Sequence, residues 1–276
     1  MAFAELSITS NFTFLTGGSH PQEHARRAIE LGLPALAIAD RNSVAGLVRA
    51  HRELREAARE GGAVPRLLPA ARLCLAGAGP EITALPRDRA GWGRLCRLLT
   101  EGARRARKGE CRIDEADLEG LGEMHLLLHH PPDPAAMETW LPRARVIAAR
   151  HPGAHLAASP RYDGLDRERT ERAAALAGEL GLRLVATAEP IMHHARRRRL
   201  VDVLTCIREG RRIDSIGRAA QANAERRLRR EAEMLRLFAG HEAAVHRAGE
   251  IARDCRFRLD ELSYEYPNEI WEGEEP

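Results

Sequence analysis

Aromatic side chains make up only 4% of this 276-residue chain, and Lys108 is its sole lysine among 43 basic residues. The first shortage leaves Ala, Leu, Val and Ile to fill the core and excludes an aromatic platform for stacking bases that could be read from sequence. Cysteine is sparse too. Cys74, Cys96, Cys111, Cys206 and Cys255 are odd in number, widely spaced and free of any Cys-x-x-Cys pair, which argues against a zinc ribbon or a dithiol redox centre and for reduced, structural thiols. No apolar run reaches the length of a membrane span, and Met1 leads into a mixed segment with no secretory pattern, so a cytoplasmic address and no membrane partner are expected. Nucleophilic chemistry lacks its usual signs: there is no Gly-x-Ser-x-Gly elbow and no Gly-x-x-x-x-Gly-Lys loop.

What is present suits one large α/β domain. Hydrophobic residues account for 44%, and the net charge is a small +3. Apolar stretches of strand length recur at 35–39, 72–76, 81–85, 125–128, 155–158 and 182–186, most of them followed by helical periodicity. This alternation predicts a parallel sheet with crossover helices. Helices are expected over 21–33, over 44–59 with Ser43 as cap, and over 91–106, 134–150, 167–180 and 194–209. After Gly210 no strand pattern appears. Helical segments at 230–239 and 242–254 and an acidic tail from Tyr264 suggest a boundary, with a barrel over 1–210 and a helical connector over 211–276.

Several histidines have suggestive spacing. His20 and His24 stand at i, i+4, which can clamp a metal on one helix face, but no carboxylate motif accompanies them, so surface or capping roles are the plainer reading. The adjacent pairs His129-His130 and His193-His194 read as loop residues, with His193 or His194 the remaining ligand candidates near a strand end.

Read together, Thr9-Ser-Asn-Phe-Thr-Phe-Leu15, Ser19-His-Pro21, Ala35-Leu-Ala-Ile-Ala-Asp-Arg-Asn42, Asp202-Val-Leu-Thr-Cys-Ile-Arg-Glu-Gly210, Asn223-Ala-Glu-Arg226, Cys255-Arg-Phe-Arg-Leu-Asp-Glu-Leu262 and Tyr264-Glu-Tyr-Pro267 resemble the N-terminal region of bacterial C-family DNA polymerases. The combination is most similar to their error-prone, translesion branch. The resemblance implies a PHP (polymerase and histidinol phosphatase) domain, a distorted (β/α)7-like barrel that in many relatives holds a metal cluster.

By that resemblance the metal-site positions fall on Ser7 and Thr9 for the His-x-His pair, Thr16 for the following aspartate, Asp40-Arg41 for Asp-His, Arg72 for a glutamate, and Glu189-Pro190-Ile191 for the late Asp-x-His. Only Asp40 and Glu189 keep carboxylates. Hydroxyls and Ile191 cannot replace imidazole and carboxylate ligands, and a guanidinium stays protonated. At an effective dielectric near 20, a unit charge about 5 Å from a dication is repelled by roughly 6 to 7 kcal/mol. The expectation is therefore a degenerate site with no bound metal, in which Arg41 and Arg72 either pair with Asp40 or Glu189 or swing out to solvent.

The resemblance implies an error-prone polymerase acting in damage-induced mutagenesis and translesion DNA synthesis. This chain is expected to be its non-catalytic domain, with magnesium serving only a palm that lies elsewhere. The implied partners are the remaining polymerase domains, DNA, mutagenesis accessory proteins and a sliding clamp. Basic clusters at Arg104, Arg105, Arg107 and Lys108, at Arg196, Arg197, Arg198 and Arg199, and at Arg226, Arg227, Arg229 and Arg230 admit phosphate or DNA contact; solvated faces or contacts to other polymerase domains are the plainer reading. The rival functions are a freestanding PHP phosphoesterase and a nucleotide- or anion-binding module.

Overall fold

The computed structural model describes residues 2–77, 79–131 and 134–263. The acidic tail expected from Tyr264 lies outside the described residues. Near the N-terminus β1 (Glu5–Ile8), β2 (Ala35–Ile38) and β3 (Arg66–Pro69) form a parallel sheet in that order. A second sheet runs through β4 (Ala71–Cys74), β5 (Glu81–Leu85), β6 (His125–His129), β7 (Ala154–Ala158) and β8 (Arg183–Ala186). β1 and β2 are buried throughout; β2 accordingly reads as an unbroken apolar run, while β1 also buries the polar side chains of Glu5 and Ser7.

Backbone hydrogen bonds join the two sheets into a barrel. Only Ala70 separates β3 from β4, the Arg72 amide donates to the Asp40 carbonyl (3.0 Å), and the Asn42 amide donates to the Arg72 carbonyl (2.8 Å). On the other side, the chain leaving β1 meets the chain leaving β8, where the Thr9 amide donates to the Pro190 carbonyl at 2.9 Å. With β3 and β4 as one continuous stave, this is the distorted (β/α)7-like barrel expected of a PHP-type domain.

Two strand expectations are corrected. β5 is antiparallel to both β4 and β6, because the chain between Cys74 and Glu81 is too short for a crossover helix and can only make a hairpin. β3 has no strand signal in the sequence because Pro65 precedes it and Pro69 ends it, and proline argues against an interior strand. Helices α1 (Pro21–Leu31), α2 (Leu47–Arg59), α3 (Arg89–Arg104), α4 (Pro134–Arg150), α5 (Asp166–Glu179) and α6 (Arg198–Glu209) follow the sequence pattern. Ser43 does not cap α2: its hydroxyl accepts from the Ala45 amide, and the helix begins only after Gly46.

Beyond residue 210 lie α7 (Glu231–Leu237) and α8 (Glu242–Asp254), and they share the barrel's core. Leu228, Met234, Phe238, Val245 and Ile251 belong to the same continuous buried cluster as Phe3, Leu6 and Leu36. The boundary expected at 210 therefore does not divide the apolar core. Gly249 lets α8 approach the N-terminal strand, since a Cβ there would lie 2.2 Å from the Ala2 carbonyl oxygen. Gly249→Ala would gain about 1 kcal/mol of helix propensity on an isolated helix. Here the clash should reverse that sign, giving a net loss of about 1–3 kcal/mol in urea unfolding. An unchanged or higher midpoint would show that α8 is loosely attached.

Candidate functional site

At the end of the barrel where β1, β4, β5, β6 and β8 converge, Arg72 lies among acids and hydroxyls. It donates to the Glu81 carboxylate (3.1 Å) and to Ser7 Oγ (2.7 Å), and its guanidinium comes within 3.6 Å of Glu189. Ser7 Oγ lies 2.8 Å from Thr83 Oγ1, which lies 2.9 Å from His129 Nε2, and His129 Nδ1 bonds to Glu189. One orientation satisfies the whole chain: Arg72 donates to Ser7, Ser7 to Thr83, Thr83 to His129 Nε2, and His129 Nδ1–H to Glu189.

The electrostatics agree with that orientation. Burial and the adjacent Arg72 charge push the His129 pKa down, so the ring stays neutral. Burial opposes ionisation of Glu189, but His129 and Arg72 outweigh it and hold the carboxyl well below its usual range. Arg72 is itself buried, and Glu189 and Glu81 more than offset the cost of its desolvation. Glu189 sits at φ 44°, a left-handed conformation that costs a non-glycine residue on the order of 1 kcal/mol and persists because the carboxylate is anchored.

The sequence-derived positions therefore divide. Ser7, Arg72 and Glu189 come together. Arg41 is exposed, with its side chain beside Cys74, and makes no ion pair with Asp40 or Glu189 among the described residues. Asp40 turns away from Arg72: its carboxylate accepts from the Ser10 amide (2.8 Å), Ser10 Oγ (2.7 Å) and Thr13 Oγ1 (2.8 Å), and so pins the loop after β1. Thr9 is buried, Thr16 bonds locally to the Phe14 carbonyl, and Ile191 packs with Met192 and Val201. His129 and Thr83 were missed; His129 ends a strand and is no loop residue.

Of the other histidines, only His24 departs from its plainer reading, and His193 and His194 lie in a loop as expected. His20 caps α1 from its exposed end, while His24 is fully buried with no hydrogen-bond partner on either ring nitrogen. They do not form a clamp. His193 Nδ1 bonds Ser19 Oγ, and His194 accepts from the Arg196 amide.

Could this end of the barrel hold a metal ion? Both nitrogens of His129 are committed, and a guanidinium stands between Glu81 and Glu189. Among the described residues no three His, Cys, Asp or Glu side chains are arranged to take one. The residues do not fit a metal cluster.

Beside the network opens a cavity of about 490 Å³, lined by Arg72, Glu81, His129, Glu189, Arg161 and Arg226 among others. The basic clusters flagged from sequence lie apart from its lining, and several members are neutralised: Arg105 by Asp117, Arg104 by Glu101, Arg197 by Glu23 and Arg198 by Asp202. Of the members of those clusters, Arg226 is the exception and lines the cavity.

No family model matches the chain. The error-prone DNA polymerase of Ruegeria pomeroyi is 45% identical over 100% of this chain and 28% of its own length. Those of Rhodopseudomonas palustris and a Bradyrhizobium strain are each 44% identical over 97% of the chain, which covers 24% and 23% of them. Solved structures with partial likeness include a Bifidobacterium adolescentis protein assigned as a metal-dependent phosphoesterase (13% identity, TM-score 0.48, 67% of this chain and 86% of that one). Another is a Chromobacterium violaceum amidohydrolase (15%, TM-score 0.48, 69% and 88%). By its sequence the chain belongs with the error-prone DNA polymerases, spanning about a quarter of the length of the curated relatives it matches.

Proposed function

We propose that this chain is the PHP domain of an error-prone polymerase of damage-induced mutagenesis and translesion synthesis, and that the domain is structural and non-catalytic. The observation that carries this reading is Arg72, whose guanidinium occupies the space between Glu81 and Glu189 and ties both acids into a closed hydrogen-bond network. Such a site offers a phosphoester neither a Lewis acid nor a free base, because His129 is engaged at both nitrogens. Magnesium, in this reading, serves a palm in the remainder of the polymerase, where DNA, accessory mutagenesis proteins and a sliding clamp also bind.

The structural role is a docking role. Leu200, Val203 and Ile207 recur at helical spacing on α6 and are all exposed, as is Ile213 just beyond it. Phe14 is 83% exposed on the loop whose Leu15 carbonyl accepts from Arg208 of α6. An exposed apolar face of this kind marks an interaction surface, and the occupant proposed is the rest of the polymerase, three quarters of which lies outside this segment of the relatives.

Two measurements test the proposal. Purified protein should carry no stoichiometric zinc or manganese and should show no metal-dependent hydrolysis of a phosphate ester; turnover with either metal would overturn it. In a full-length polymerase carrying this domain, Val203→Asp with Ile207→Asp should abolish primer extension, while leaving the melting temperature of the domain within a few degrees. Full extension activity in that variant would reject the docking face.

A further inference from the structure

Arg161 and Arg226 line the cavity beside the Arg72 network, yet neither guanidinium has a carboxylate within ion-pair distance among the described residues. The other arginines of the lining are satisfied: Arg72 by Glu81 and Glu189, Arg169 by Asp163 and Asp166. Arg72, Arg161, Arg169 and Arg226 stand against Glu81, Glu189, Asp163 and Asp166, so the charges balance in number, but all four acids are drawn to Arg72 and Arg169, and burial keeps His129 and His130 neutral. Burial pushes both Arg161 and Arg226 below their usual pKa; Arg169 adds to the strain on Arg161, and Arg72 and Arg161 to that on Arg226, while Glu189 at both, Asp163 and Asp166 at Arg161 and Glu81 at Arg226 offset only part of it. Desolvated, mutually repelling guanidiniums facing an open cavity are a feature that an anion relieves.

Their backbones are fixed independently of their side chains. Asn223 Nδ2 donates to the carbonyls of Arg161 (2.6 Å) and Tyr162 (3.3 Å), joining the loop after β7 to the segment after α6. The Arg226 carbonyl accepts from the amides of Ile191 (3.1 Å) and Met192 (3.3 Å), just beyond Glu189. The two arginines are thus carried to one place by segments far apart in sequence, and the ordering cost of binding there is already met by the fold.

We propose that this cavity is a metal-free oxyanion site, in which Arg161 and Arg226 hold the tetrahedral phosphoryl group of inorganic phosphate or of a phosphate-bearing small molecule, without turnover. It rests on the metal-free reading of the same barrel end. A volume near 490 Å³ is within the range of small-molecule sites and larger than one phosphate needs, so both sources of the group remain to be separated by measurement.

The test uses the full chain with inorganic phosphate, dAMP and deoxyadenosine, followed by thermal shift and calorimetry against sodium chloride of equal ionic strength. Phosphate at about 10 mM should raise the melting temperature and chloride should not. Arg161→Gln and Arg226→Gln should each weaken phosphate binding about tenfold or more, as expected for loss of a charged hydrogen-bond donor. Arg226→Lys should keep part of the affinity, and Arg107→Gln, outside the cavity, should keep all of it. Tighter binding of dAMP than of phosphate, with none of deoxyadenosine, would identify a nucleotide as the source; equal binding of dAMP and phosphate would identify the free ion. No phosphate-specific shift in the wild type, or undiminished affinity in a folded Arg161→Gln/Arg226→Gln protein, would overturn the site. That failure in a metal-free protein leaves the structural reading intact, whereas stoichiometric zinc or manganese would remove the reading itself.

Discussion

Arg72→Ala should destabilise the chain by about 3–5 kcal/mol, the cost of removing one partner from a buried ion pair. At about 2–4 °C per kcal/mol for a domain of this size, the melting temperature should drop by roughly 10 °C. Three losses combine. Glu189, only 19% exposed at its side chain, keeps its charge with its principal cation gone. Ser7 Oγ loses its donor, and the directed chain through Thr83 to His129 loses its origin. Glu81 is 42% exposed and can rehydrate, so it contributes little.

The effect can be assigned to charge by neutralising the survivor. Arg72→Ala combined with Glu189→Gln should be less damaging than Arg72→Ala alone, with a coupling above 1 kcal/mol in a double-mutant cycle. Purely additive losses would mean that Arg72 acts through packing. A cost within about 0.5 kcal/mol of zero for Arg72→Ala would place the residue with ordinary surface substitutions and undo the network as the organising feature of this end of the barrel.

Part of this arrangement could be read from sequence, and the part that could not has definite causes. Ser7, Arg72 and Glu189 stand at or near strand ends, and the polymerase resemblance alone assigns them to one site. Asp40 and Arg41 lie just past β2, where no strand pattern predicts their sides: Asp40 is buried by the bonds it accepts from Ser10 and Thr13, and Arg41 is exposed. The strand pattern of His125–His129 was visible, but its terminal histidine was obscured by the adjacent His130, which made the pair resemble a loop. Thr83 sits in an apolar strand, with nothing local to mark its role as a relay between Ser7 and His129. Arg161 and Arg226 are 65 positions apart in numbering, and only the closure of the barrel brings both to the cavity. The hairpin between β4 and β5 was hidden by a rule: alternating elements imply parallel strands only where the connection is long enough to cross over.

Acid should unfold this protein mainly through two buried neutral imidazoles. Burial, with repulsion from His193, lowers the His24 pKa to about 3; burial, with repulsion from His125, lowers that of His155 to about 3. An unfolded histidine binds its proton near 6.5. Between pH 6.5 and 3 the unfolded chain therefore holds more protons, so the stabilisation is complete above 6.5 and is lost as pH falls. At 1.36 kcal/mol per unit, each site accounts for a loss on the order of 5 kcal/mol over that window, comparable to the whole stability of many domains. Glu5 works in the opposite direction. Burial raises its pKa to about 7 despite hydrogen bonds from Thr187 and the amides of Ala188 and Ser7, so the folded chain holds the extra proton between 4.5 and 7. Its contribution falls by roughly 3 kcal/mol as pH rises through that window. Two imidazoles outweigh one carboxyl below 6.5 and none opposes it just above, which places the stability maximum near pH 6.5. His24→Leu, which fills the same buried site without a titrating group, should shift the acid-unfolding midpoint, followed by circular dichroism, to lower pH. Glu5→Gln should steepen the rise of stability between pH 4.5 and 6.5 and abolish the decline from 6.5 to 7. Coincident acid transitions for wild type and His24→Leu would show that His24 is protonated in the folded chain and that water reaches its ring.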